Sequence, residues 1–319
     1  MHFNPYIENH NKQNVMEFID SNFKSGHKLS YDDALFDFFY KHNNDKYNFS
    51  VIYDSNNELA SILGYIPSEK WSRNDDITWL ALWSSKPKKN SGILLLMNLL
   101  RTDVAKGRGI GVLGLSDVAL QIYQKLGFNT GKMNHYFLRN NHLSEFTILS
   151  SKALVEGSAG VCAHHEHEHH FLDTLDIVRG YKNLKIEYYR NKYQNNPFTK
   201  YKFLFISDKE KNVLFVMKEN HVNKAVSLTI VDVAGELDYL NKYTSVLTSV
   251  LHEKNYEYID FLCNLDVINT DIWEVCCKAN FAPLHFSPFE RKYVELNYAL
   301  KDICNEKAIF KGDGDQERP

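Results

Sequence analysis

The sequence predicts an α+β (α/β layered) fold in two tandem domains, each a mixed central sheet flanked by helices. Three observations predict it. The chain has 319 residues, more than a domain of ordinary size, with 44% hydrophobic and 24% charged residues. Segments of alternating apolar residues are interspersed with segments of helical spacing, as expected where helices cover a sheet. One order of elements (hairpin, strand, helix, strand, helix) is read twice along the chain, an internal duplication at the level of fold.

In the first half, "YNFSVIYDSNNELASILGYI" (47–66) alternates on both sides of the turn 54–57 and predicts a hairpin. "DITWLALWSS" (76–85) is a third strand, rich in β-branched and aromatic residues, and "SGILLLMNLLRTDVA" (91–105) has the apolar density of a buried helix. "GIGVLGLS" (109–116) predicts a short buried strand. "DVALQIYQKLGF" (117–128) predicts a helix stopped by a C-capping glycine, and "KMNHYFLRN" (132–140) a further strand. In the second half, 200–219 reads as a hairpin, 225–235 as a strand, 236–254 as a helix, 256–264 as a strand and "TDIWEVCCKANF" (270–281) as a helix. The expected organisation is an N-terminal domain over 1–142, a linker and helix over 143–196, and a C-terminal domain over 197–319.

Composition narrows the function classes. A net charge of -3 gives no electrostatic reason to expect nucleic acid. Five cysteines without C-x-x-C spacing fit a reducing compartment. The first twenty residues hold no apolar run of the secretory kind, and the most apolar stretch, 92–100, is about half of the ~20 residues a membrane span needs. A cytoplasmic protein without membrane or nucleic-acid partners is expected.

The stretch "SDVALQIYQKLGF" (116–128) resembles the GCN5-related N-acetyltransferase superfamily, in which a strand leads into a helix reading N-x-x-A-x-x-ϕ-Y-x-x-x-G-F. Ala119, Ile122, Tyr123, Gly127 and Phe128 fall on that pattern, and Ser116 stands where asparagine is common. The resemblance implies that an acyl-CoA co-substrate lays its pyrophosphate on unpaired amides at a helix N-terminus, where the helix dipole favours an anion. Two stretches compete for this loop. "KGRGIG" (106–111) matches the family's letters better, but sixteen residues from Gly111 to Gly127 leave no room for a helix, a strand and a second helix. "KPKKNSGILLL" (86–96) matches less well, yet its Gly92 lies 35 residues before Gly127 and it follows a strand. Position favours the second, with Lys88, Lys89, Asn90, Ser91, Gly92 and Ile93 as the cofactor-binding set, joined by Ser116 and Tyr123.

The resemblance also implies the chemistry: a substrate amine attacks the thioester carbonyl directly. Backbone amides beside a split central strand polarise the carbonyl, and Tyr123 protonates the departing thiolate; Leu82 and Trp83 join the cofactor-binding set. The strand 77–85 carries no carboxylate, so the base comes from outside it; Asp75 and Asp76, just before the strand, are candidates. In the second copy "CCKANF" aligns with "YQKLGF", placing Cys276 opposite Tyr123 and Asn280 opposite Gly127. Its loop 232–240 carries Glu236 and Asp238 and no lysine or arginine, so like charge would repel a pyrophosphate. The second copy is therefore expected to bind no CoA and to form a wall of the acceptor pocket.

"HHEHEHH" (164–170) fits neither structural nor catalytic zinc spacing, and no metal site is expected there. Between the domains it is instead a source of acceptor contacts from His164, His165 and His167 and of a base, Glu166. The C-terminal "FKGDGDQERP" is too short for a calcium loop. Such tails, with the tandem arrangement, resemble N-acyltransferases of bacterial surface-polysaccharide pathways. They imply an acceptor that is a nucleotide-linked amino sugar, such as a dTDP-3-amino-3,6-dideoxyhexose. The acyl donor would be acetyl-CoA or a longer acyl-CoA such as 3-hydroxybutanoyl-CoA, with no tightly bound cofactor. A Fem-type aminoacyltransferase and a non-catalytic binding protein on the duplicated fold are the alternatives.

Overall fold

The computed structural model describes residues 2–71, 76–87, 91–150, 186–208, 211–235, 239–266, 272–284, 292–303 and 308–314. Along the chain run β1 (His2–Asn4), β2 (Ile7–Glu8), α1 (Lys12–Asn22), α2 (Asp33–Tyr40), β3 (Lys46–Tyr47), β4 (Phe49–Tyr53) and β5 (Leu59–Pro67). Next come β6 (Ile77–Ser85), α3 (Ser91–Leu99), β7 (Gly109–Leu115), α4 (Asp117–Lys125), β8 (Asn129–Lys132) and β9 (Asn134–Arg139). Then follow α5 (Ile186–Tyr189), β10 (Tyr201–Asp208), β11 (Lys211–Val222), β12 (Ala225–Ala234), α6 (Tyr239–Lys242) and α7 (Thr244–Glu253). The last are β13 (Tyr258–Cys263), β14 (Glu274–Val275) and β15 (Asn297–Lys301). No helix among the described residues is long and apolar enough to cross a membrane.

Two compact units result. Unit one holds 1–130, 297–304 and 314–316; unit two holds 131–296, 305–313 and 317–319. The boundary does not fall at 142 as the sequence suggested. β9 pairs antiparallel with β13 over its whole length, so this strand belongs to the second sheet. β15, far along the chain, pairs with β7 in the first. Alternation identifies a strand but does not say which sheet will accept it.

In unit one the sheet order is β1-β4-β5-β6-β7-β15-β8. α3 lays Leu95, Leu96 and Leu99 on one face against Leu63, Leu80, Ile110 and Val112, all buried. On the other side of the sheet α2 begins at Asp32, whose carboxylate caps the Leu35 N–H at 2.9 Å. It presents Phe36 and Tyr40 to Phe49, with ring centroids 5.1 and 4.4 Å apart. Neither α1 nor α2 was read from the sequence. Ser116 caps α4 through the Ala119 N–H at 3.3 Å, and the helix closes on Gly127 at φ 77°, as a C-capping glycine should.

Unit two has the order β10-β11-β12-β13-β9-β14. Its core joins Phe215, Ile230, Leu247, Leu251, Ile259, Phe261 and Trp273. The hairpin, the parallel pair β12/β13 and the helix between them repeat the order of unit one. The expected helix over 270–281 is absent from the described part of that span. β14 pairs there with β9, the Glu274 carboxylate accepts from Nε and Nη2 of the buried Arg139, and Cys277 bridges Asn280. A helical spacing of apolar residues loses to a strand edge and a buried charge that both need a partner.

Candidate acyl-transfer site

The geometry starts from an irregularity in β6. Against β5, Trp83 pairs with Leu63 and Ala81 with Gly64, so Leu82 is an extra residue without a cross-strand partner. Its φ is 46°, a conformation that costs a branched side chain about 1–3 kcal/mol and is held by the surrounding structure. On the other edge, the parallel pairing of β6 with β7 ends at Leu80 and Val112. β7 runs on to Leu115, held on its other edge by β15. β6 and β7 therefore part just before the bulge, and Leu82 pairs with neither β5 nor β7.

Trp83, the next residue, leans edge-on against Tyr123 of α4, ring centroids 5.9 Å apart. Tyr123 is 1% exposed and also meets Phe128 at 4.8 Å. Burial pushes its phenol pKa well up, so it stays protonated. Trp83 Nε1 is a buried donor with no partner among the described residues.

α3 begins beside this corner. Its first amides have no intrahelical acceptor. Ser61 Oγ on β5 lies 2.6 Å from Ser91 Oγ and 2.9 Å from Ser85 Oγ, tying the helix start to both strands. A Cβ on Gly92 would lie 2.5 Å from Ser85 Oγ and 3.2 Å from Trp83 Nε1. The helix can come this close to β6 only without a side chain there. The Ile93 side chain is exposed. Lys88, Lys89 and Asn90 lie outside the described residues.

The structure thus brings together Leu82, Trp83, Ser91, Gly92 and Tyr123. Asp76 is elsewhere: exposed, before the first residue of β6, its carbonyl accepting from Gly109 N–H at 2.9 Å. Six residues of strand at ~3.3 Å each put it about 20 Å from Leu82. It is not placed to act as the base. The Ser116 hydroxyl is occupied in capping α4. "KGRGIG" runs into β7 and starts no helix, which removes it as the phosphate loop. Glu166, His164, His165 and His167 lie outside the described residues, as do Asp75, Glu236 and Asp238. Ser61 and Ser85 were missed, because isolated serines in apolar strands carry no signal of their own.

Unit two repeats the irregularity. Val216 pairs with Asp232 and Met217 with Ile230, so Val231 is the extra residue, and the β12/β13 pairing ends at Ile230 and Phe261. Here the parting strands are filled. Phe310 bridges Cys263, and a Cβ on Gly312 would lie 2.7 Å from the Val231 carbonyl oxygen. The buried Tyr193 hydroxyl donates to the Asp232 carboxylate at 2.8 Å. Backbone and a phenol thus pack beside the bulge of unit two.

No protein-family model matches the chain, and no curated protein sequence matches it. Solved structures do. A GCN5-related N-acetyltransferase from Anabaena variabilis superposes with a TM-score of 0.54 at 13% identity, over 94% of this chain and 72% of that one. The fold is that of a GCN5-related N-acetyltransferase. An N-myristoyltransferase from Saccharomyces cerevisiae, with bound myristoyl-CoA, matches 93% of this chain and 78% of its own at 9% identity and a TM-score of 0.46.

Proposed function

We propose that unit one is a CoA-dependent N-acyltransferase. The observation that carries this reading is the bulge at Leu82, set where β6 and β7 part and facing the start of α3. A thioester carbonyl placed in the split would meet backbone donors fixed before the reaction begins, which stabilises the oxyanion at no further ordering cost. The pyrophosphate would rest on the amides of Lys89 to Ile93, with Gly92 setting how closely helix and strand approach. The amine attacks the carbonyl carbon and loses its proton to the base, the tetrahedral oxyanion collapses with cleavage of the C–S bond, and Tyr123 gives its proton to the sulfur and regains one from solvent. The likeness in fold to an N-acetyltransferase from Anabaena variabilis supports the donor class.

The filled strands of unit two support a division of labour in which only unit one takes acyl-CoA and unit two serves the acceptor. For the acceptor we propose the amine of a nucleotide-linked amino sugar, a dTDP-3-amino-3,6-dideoxyhexose, in bacterial surface-polysaccharide synthesis. The character of the C-terminal tail and the duplicated order of elements support this choice. Glu166 and the neighbouring histidines are the proposed source of the base. The test is calorimetry with acetyl-CoA and 3-hydroxybutanoyl-CoA, followed by mass spectrometry of amino-sugar nucleotides incubated with the donor that binds. A mass increase equal to the acyl group is expected. Failure to bind any acyl-CoA would refute the donor assignment, and binding without transfer to any sugar would refute the acceptor.

A further inference from the structure

In unit two a row of polar side chains crosses one face of the sheet and ends on a thiol. Asn220 of β11 donates to Thr229 Oγ1 of β12 at 2.9 Å, and that hydroxyl donates to Asp260 Oδ1 of β13 at 2.5 Å. The other oxygen of Asp260 lies 2.6 Å from Nε2 of His135 on β9. One residue beyond β14, the Cys276 N–H donates to the His135 carbonyl at 2.9 Å, which sets the two side chains opposite each other on neighbouring strands. The imidazole meets the Cys276 thiol there as well as Asp260. All five residues are buried. A buried carboxylate fixes the ring and its tautomer, as in the Asp–His half of a nucleophilic triad. The acyl-transfer mechanism uses none of these residues.

The charges around the sulfur suit a nucleophile. Burial alone would keep His135 neutral, but Cys276 and Asp260 outweigh it and push the pKa up to about 9, so the ring is an imidazolium at neutral pH. A second donor, the Ala282 N–H, reaches Cys276 Sγ at 3.3 Å. An imidazolium and a backbone N–H are partners that stabilise a thiolate, the nucleophilic form of a cysteine. The next charges along these two strands, Arg139 and Glu274, pair with each other. Burial keeps the flanking phenols of Tyr258 and Tyr293 protonated. Packing then limits what can reach the sulfur. Cys276 is 8% exposed and sits among Phe137, Ile148, Leu149, Tyr258 and Ala282. Such an opening suits a reagent little larger than water, such as hydrogen peroxide, and not an acyl thioester.

We propose that Cys276 is a site of oxidation by hydrogen peroxide, with His135 as the proton donor to the departing oxygen. The sulfur bonds to one peroxide oxygen as the O–O bond breaks. The His135 imidazolium protonates the departing hydroxide to water, and the thiol proton passes to the imidazole. The product is the sulfenic acid, the sulfur having lost the two electrons that the peroxide gains. The site is independent of the acyl-transfer reading. For the test, the reduced full chain bearing Cys277→Ser is exposed to hydrogen peroxide for graded times and quenched with catalase. It is then unfolded in urea with dimedone, and mass spectrometry follows the label on Cys276; glutathione is treated in parallel. Cys276 is expected to react at least tenfold faster than glutathione, although it is buried. His135→Gln in the same background, with a cooperative thermal transition as the check of its fold, should lower that rate at least tenfold. A rate no faster than that of glutathione overturns the proposal, as does an unchanged rate in the folded His135→Gln chain. If that variant unfolds, the comparison with glutathione decides alone.

Discussion

Gly92→Ala followed by Ser85→Ala tests whether the approach of α3 to β6 is what makes the proposed phosphate site. The new Cβ would start 2.5 Å from Ser85 Oγ, and ordinary contact begins at 3.4 Å, so something must move by about 0.9 Å. Ser85 cannot simply turn away without giving up its contact to Ser61 at 2.9 Å. The first turn of α3 therefore lifts. A shift of that size stretches an N–H···O bond of ~2.9 Å beyond useful length. Losing one charge-assisted bond costs about 1.5–3 kcal/mol, which is ten- to more than a hundredfold in KM for acyl-CoA. Stability should respond less. Overpacking costs about 1–3 kcal/mol, but alanine is favoured over glycine in a helix by about 1 kcal/mol, so the two partly cancel. Adding Ser85→Ala removes the obstructing oxygen and should restore most of the affinity. The assay is a double-mutant cycle on KM and on calorimetric affinity for CoA. An unchanged KM in the single variant, or a double variant no better than the single, refutes the reasoning.

Tyr123→Phe should lower turnover by one to three decades with little change in acyl-CoA affinity. General acid catalysis is typically worth ~10²–10⁴-fold, while a thiolate of ordinary pKa leaves without full help. Full turnover in the variant would make Tyr123 a packing residue. In unit two, burial disfavours the charged His135, but Cys276 and the Asp260 carboxylate at 2.6 Å outweigh it, and the imidazole pKa is pushed up from 6.5 to about 9. A raised pKa contributes stability that is full below 6.5 and is lost as pH rises through about 9. The thermal midpoint should fall between pH 7 and 10, and His135→Gln should flatten that slope; an equal slope in the variant removes His135 as the cause.

Strand alternation in 47–66 and 76–85, and the spacing of 117–128, carried β4, β5, β6 and α4, because those periods are local properties of the chain. The helix start at Ser91 was legible from apolar density, and spacing to Gly127 set the better-matching letters of "KGRGIG" aside. The bulge was not legible. Nothing in "TWLALWSS" marks Leu82 as left-handed, since the strain is imposed by neighbours on both edges of β6. α1 and α2 escaped reading because polar residues interrupt their apolar positions. The segment 270–281 failed for the opposite reason: it has the period of a helix, but Arg139 and the edge of β9, more than 130 residues earlier, decide its conformation. Asp76 was proposed as a base from sequence adjacency to β6, and adjacency placed it at the wrong end of the strand.

β15 has a consequence for how this protein comes into being. Asn297 pairs with Leu115, and the strand sits between β7 and β8, so the first sheet is closed by residues that leave the ribosome only after all of β9 to β14. Contacts of such separation are slow to form and leave β7 with a bare, apolar edge while they wait. A fragment ending near residue 130 would keep that edge permanently and should associate or aggregate. An isolated first unit is better made as a circular rearrangement, with 297–304 joined by a short linker ahead of β1 or behind β8, than as a truncation.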